Sequence, residues 1–175
     1  MKIVLLEDLG ITESYLEQQK KKLEEMGHQF LYYKKTDDQK LFIERNQDAD
    51  VFMLVNMPLS KEVVDQASHL KMIDVAFTGV DHLPMTTLKE RGVVVCNASG
   101  YATRAVAELT LSLMIQLLRN SKEVEVALRS GKTKEGLIGN LLYGKTVGIV
   151  GAGAIGKQVA FLCKCFGCHV ICTNP

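Results

Sequence analysis

The sequence predicts an α/β protein built on a doubly wound parallel sheet, with a second α/β unit opening in its C-terminal part. Short, continuously apolar runs of β type recur along the first hundred residues, and polar or amphipathic segments of helical length separate them. Farther on, a glycine-rich turn stands between a strand-like run and a helix-like run.

The apolar runs lie at 3–6, 30–33, 51–55, 72–77 and 93–95. Strands covered by helices on both faces lose the in–out alternation of a half-exposed sheet and read as continuous apolar stretches. The first helix is well marked. Thr12 is placed as its N-cap, Ile11 and Leu16 hold the positions of a hydrophobic staple, and Gly27 follows as a stop. These elements predict one domain over 1–99.

Composition removes several classes of function. Apolar residues make up 47% and charged residues 23% of the 175, the proportions of a globular chain. Lys plus Arg number 21 against 20 Asp plus Glu, so no overall field favours nucleic acid or an anionic membrane. No apolar stretch reaches the length of a bilayer span. The first apolar run ends at Glu7 and Asp8, too short for a signal peptide. Five cysteines, an odd number, without an export signal predict free thiols and a cytoplasmic protein.

Residues 103–119 are apolar on nearly every side, from Val106 and Leu109 to Leu117 and Leu118. A helix of that kind is expected to be buried all round. A core helix of a single domain would satisfy this. A second domain or subunit packed against it is favoured, because the helix follows a complete five-strand unit. Residues 121–144 predict a short helix and a connecting loop.

The segment 145–156 reads KTVGIVGAGAIG. Gly151, Gly153 and Gly156 form G-x-G-x-x-G between a strand at 146–150 and a helix carrying Ile155, Val159, Leu162 and Phe166; another strand follows at 169–172. This is the βαβ setting of a dinucleotide fingerprint. Gly151 permits the tight turn, Gly153 lets backbone N–H groups approach a pyrophosphate, and Gly156 lets helix and strand pack closely. The helix N-terminus offers its positive dipole end to the phosphates.

The ten residues CKCFGCHVIC at 163–172 invite a metal or redox reading. Cys163 and Cys165, two apart on a helix, face opposite ways, about 200° around the axis. Gly167 ends that helix, and Cys168 and Cys172 fall at either end of the next strand. Four thiolates so placed do not converge on one tetrahedral ion, so no metal site is assigned and the cysteines are read as small hydrophobes. A NAD-binding unit commonly ends its second strand with an acid on the ribose hydroxyls; here Asn174 holds that place. A neutral Asn bonds a hydroxyl and also removes the charge that would repel a 2′-phosphate, so NAD is expected with NADP possible.

Taken together, VNMPLS (55–60), FTGVDH (77–82), GVVVCNASGYATRAVAELTLSLMIQLLRN (92–120), GKTVGIVGAGAIGKQVA (144–160) and FGCHVICTNP (166–175) resemble the D-isomer-specific 2-hydroxyacid dehydrogenase family. The resemblance implies a flavodoxin-like substrate domain over 1–99. An interdomain and dimer helix at 103–119 and the start of a Rossmann NAD-binding domain, over 100–175, would follow, with the active site between the domains. It places Asn56, Met57 and Gly79 at the substrate carboxylate, largely through backbone N–H groups. Thr78 falls on a cofactor-contacting position, and Ala154 and Ile155 on the pyrophosphate. Where Asn56 stands the family often has an Arg.

The reaction implied is hydride transfer between a nicotinamide and C2 of a small 2-hydroxy or 2-oxo acid. In the family the catalytic His, Glu and Arg lie well downstream of the fingerprint, so no catalytic residue is assigned within this chain. His169, Arg104 and Arg119 stand on the wrong elements to replace them. The expectation is an N-terminal part of such an enzyme, C-terminally truncated, dimeric through 103–119 and inactive alone. The competing reading is a non-enzymatic binding or regulatory partner derived from a dehydrogenase. A thiol or metal protein built on the cysteines is the third, and predicts bound zinc or iron.

Overall fold

The computed structural model describes residues 1–33, 36 and 38–174. The chain divides into two compact units, Met1–Ser99 and a second beginning at Gly100.

In the first unit β1 (Lys2–Leu5), β2 (Gln29–Tyr32), β3 (Val51–Leu54), β4 (Met72–Val75) and β5 (Val94–Asn97) form one parallel sheet in the order β2-β1-β3-β4-β5. The helices are α1 (Glu13–Glu25), α2 (Gln39–Asn46), α3 (Lys61–Gln66) and α4 (Met85–Glu90). The run expected at 72–77 stops at Val75, and that expected at 93–95 continues to Asn97. In both places pairing with the neighbouring strand sets the boundary, which composition does not carry.

Successive residues of β1, with Leu6 just after it, serve two cores. Val4 and Leu6 join Phe52, Leu54, Ile73 and Val75 beneath α3 and α4. Ile3 and Leu5 face the other way with Phe30 and Val51, where Leu16 and Leu23 of α1 cover them. Burial on both faces is why these strands lack alternation.

Helix α1 begins and ends as its local sequence demands. The Thr12 side chain accepts the Tyr15 N–H at 3.4 Å. At the other end Gly27, at φ +82°, donates to Glu24, and His28 donates back to Leu23. That pair of bonds satisfies carbonyls the helix leaves open, and the left-handed residue it needs is the glycine. Ile11, at the outer staple position, is exposed.

The second unit contains α5 (Thr103–Leu118), α6 (Ser121–Arg129), β6 (Thr146–Val150), α7 (Ala154–Cys165) and β7 (His169–Thr173), with β6 and β7 parallel. A core forms where Ala107, Leu111, Met114, Ile115 and Leu118 of α5 meet Val147, Val159, Leu162, Cys163 and Cys168. Burial of α5 on all sides is not observed: Leu109, Leu113 and Leu117 are 58%, 50% and 79% exposed, and Val106 is also exposed. The unit covers one face of the helix because β6, β7 and α7 supply a single apolar layer for it. Among the described residues no helix is long and apolar enough to cross a membrane.

Candidate functional site

The strand order of the first sheet reverses direction at one point. From β1 the chain turns outward to β2, and from β3 it turns the opposite way to β4 and β5. In open parallel sheets ligands bind beyond the carboxyl ends of the strands where that direction reverses. Here the reversal falls between β1 and β3.

Two segments meet there. Glu7 follows the end of β1, and Val55, Asn56 and Met57 follow the end of β3. One oxygen of the Glu7 carboxylate accepts the N–H groups of all three, at 2.6, 2.7 and 2.8 Å. Three consecutive backbone N–H groups converging on one point form an anion-binding concavity. Asn56 and Met57, placed at a substrate carboxylate by the family resemblance, therefore already hold a carboxylate, the chain's own. Sequence reasoning passed over Glu7. The available signal was an acid just past a buried strand, on the edge where parallel sheets bind ligands.

Thr78 and Gly79 lie on the loop after β4. The Thr78 carbonyl accepts the Asn97 side-chain amide at 2.7 Å, which ties this loop to the end of β5. The N–H groups of Thr78 and Gly79 have no partner among the described residues.

In the second unit the glycine-rich turn joins β6 to α7. Gly151 takes φ +95° and donates to the Thr173 carbonyl at 2.8 Å, tying the turn to β7. A Cβ on Gly156 would lie 2.1 Å from the Gly151 carbonyl oxygen, so helix and turn approach as closely as two backbones can. A Cβ on Gly153 would meet nothing within 4 Å. Gly153 is also the N-cap of α7, and its N–H and those of Ala154, Ile155 and Gly156 have no partner among the described residues. Open donors, a helix dipole and room for close approach fit a dinucleotide pyrophosphate.

Asn174 sits beside this turn. Its side-chain oxygen accepts the Ala152 N–H at 3.1 Å, which leaves the amide NH2 to face outward. A donor in that position suits a ribose hydroxyl and a phosphate oxygen alike.

The cysteines separate by burial. Cys163 and Cys168 are buried, while Cys96, Cys165 and Cys172 are exposed, and all five are free. Burial, and then the neighbouring Cys168, raises the Cys163 thiol above its ordinary range. The Cys168 thiol is directed to the Leu142 carbonyl at 3.4 Å. Cys163 and Cys165 thus point to opposite sides of α7, one into the core and one to solvent.

Known proteins match the chain over most of its length. D-3-phosphoglycerate dehydrogenase of Methanocaldococcus jannaschii is 34% identical over 167 residues, 94% of this chain and 32% of that protein. Hydroxypyruvate reductase of Thermotoga maritima is 35% identical over 118 residues, 67% of this chain and 39% of that protein. Among solved structures, NAD-dependent formate dehydrogenase from Staphylococcus aureus in complex with NAD superposes with a TM-score of 0.86 at 28% identity, covering 100% of this chain and 56% of that one. An acyclic imino acid reductase in complex with NADPH and D-Arg gives a TM-score of 0.87 at 25% identity, with 100% and 56% covered. The chain therefore spans about a third of these curated relatives and just over half of the solved chains. The model of the D-isomer specific 2-hydroxyacid dehydrogenase catalytic domain matches residues 5–161, and the chain belongs to that family.

Proposed function

We propose that this chain supplies the substrate domain and the first pyrophosphate-binding unit of an NAD(P)-dependent dehydrogenase acting on a small 2-hydroxy or 2-oxo acid. Residues 1–99 form the substrate domain; 100–175 carry the interdomain helix and the first βαβ unit for the cofactor. When bound, the nicotinamide supplies the hydride acceptor or donor for C2 of the acid. The observation that carries this reading is the start of α7, where open N–H groups surround a glycine with free space at its Cβ.

Within this reading Gly151, Gly153, Ala154, Ile155 and Gly156 hold the pyrophosphate, and Asn174 reaches the adenosine ribose. Thr78 contacts the cofactor, and Gly79 contributes to the acid's carboxylate. Asn174 carries no charge, which admits a 2′-phosphate and hence NADP as well as NAD. The protein works in the reducing cytoplasm with its thiols free.

NADH at about a hundred times its dissociation constant stabilises a one-site protein by roughly 2.7 kcal/mol. For a chain of this size that raises Tm by about 5–10 °C. Gly153→Ala is expected to leave the ligand-free Tm nearly unchanged, because its Cβ enters open space, and to abolish most of the NADH shift. Thermal unfolding of both proteins with and without NADH checks this. A wild-type Tm indifferent to NADH would move the reading to a non-enzymatic partner.

The exposed stripe of α5 supports a homodimer. Val106, Leu109, Leu113 and Leu117 recur at helical spacing on one side of the helix. Covering a leucine side chain is worth about 1.5–3 kcal/mol. Sedimentation is expected to find a dimer, and Leu113→Glu a monomer. A monomeric wild-type chain refutes this part.

A further inference from the structure

The carboxylate of Glu7 is seated where an external carboxylate would bind. Its contacts are short, as bonds to an ionised acceptor are. No described ion pair involves Glu7, so the backbone donors themselves hold its charge. Its second oxygen has no partner among the described residues, Asn56 is exposed, and Glu7 and Met57 are half-buried. The seat is thus open to solvent from one side. It also stands at the β1–β3 reversal, the position at which parallel sheets of this order take ligands.

We propose that Val55, Asn56 and Met57 form a carboxylate-binding nest of which Glu7 is the resident occupant, so that an external carboxylate enters only in exchange for Glu7. Three N–H groups already saturated by one oxygen do not accept a second anion beside it. A carboxylate tethered through two methylenes is present at high effective concentration, and an external acid sees its affinity reduced by the fraction of nests that stand open. Glu7 thereby sets how strongly this edge of the sheet holds an acid. The proposal deepens the reading of the substrate domain, and its primary test needs no substrate.

The test is an amide chemical-shift titration of the whole chain with acetate, against sodium chloride of equal ionic strength. In Glu7→Ala the amides of Val55, Asn56 and Met57 are expected to shift with acetate at an affinity at least about tenfold tighter than in the wild type. Glu7→Gln keeps the shape of the side chain without its charge, and is expected to fall between the two. It also decides the matter if the alanine variant does not fold. Equal affinities in the wild type and a folded variant overturn the proposal. So does a folded variant whose three amides do not respond to acetate.

Glyoxylate, titrated in parallel, separates this proposal from the reading of function. Glyoxylate shifting the same three amides in Glu7→Ala supports both. Acetate entering the nest while glyoxylate does not leaves the nest standing and counts against a small 2-oxo acid as substrate.

Discussion

Gly156→Ala is expected to lower the stability of the second unit by about 3 kcal/mol, the upper part of the range for forcing extra volume into a packed site. The new Cβ would lie 2.1 Å from the Gly151 carbonyl oxygen and 3.1 Å from its carbon, and 3.3 Å from Ile149 Cγ2. The first two are backbone atoms, so no rotamer change relieves the overlap. The turn has little freedom to retreat, since Gly151 and Ala152 donate to Thr173 and Asn174 at the end of β7. Helix α7 must move away from β6, and the contact of Val159 and Cys163 with Val147 loosens with it. For a chain of this length the loss corresponds to a fall in Tm of about 6–12 °C. Thermal unfolding followed by circular dichroism measures it. A variant that melts with the wild type would mean that helix and turn are not in the close contact described. Gly153→Ala is the internal contrast: the same added methyl, three residues away, meets no protein atom.

Phe52→Ala is expected to remove about 3–5 kcal/mol from the first unit. Phe52 is fully buried on β3, which pairs with β1 and β4, and its register neighbours are Val4 and Ile73. All three belong to the core beneath α3 and α4. Truncation there loses the transfer free energy of the ring and leaves a cavity that a paired sheet cannot close. Total stability of ordinary domains is about 5–15 kcal/mol, so the variant should show a markedly lower urea midpoint with a similar slope. A loss below about 1 kcal/mol would show that the surrounding side chains collapse into the space.

Much of the architecture is local and was readable as such. The two ends of α1 need only Thr12, Gly27 and their immediate neighbours, and the cap and the stop expected there are present. The strands are continuous apolar runs because both faces are covered, a property each run carries by itself. The glycine-rich turn was recognisable because each glycine answers a backbone requirement within a few residues of it. The opposite facing of Cys163 and Cys165 follows from helical geometry alone.

Local sequence thus carries the element order, the α/β class with its parallel sheets, the fingerprint turn and the family. Three further features arise only from long-range packing. Glu7 meets Val55, Asn56 and Met57 across about fifty residues only because β1 and β3 become neighbours in the sheet. Asn174 spends its oxygen on Ala152 only because β7 lies beside β6. Helix α5 leaves Leu109, Leu113 and Leu117 uncovered by its own unit, which offers apolar cover on one side. Periodicity and capping report what a residue requires of neighbours a few positions away. Which distant group finally satisfies a donor or covers a side chain depends on how strands are ordered, and that order is set by long-range packing.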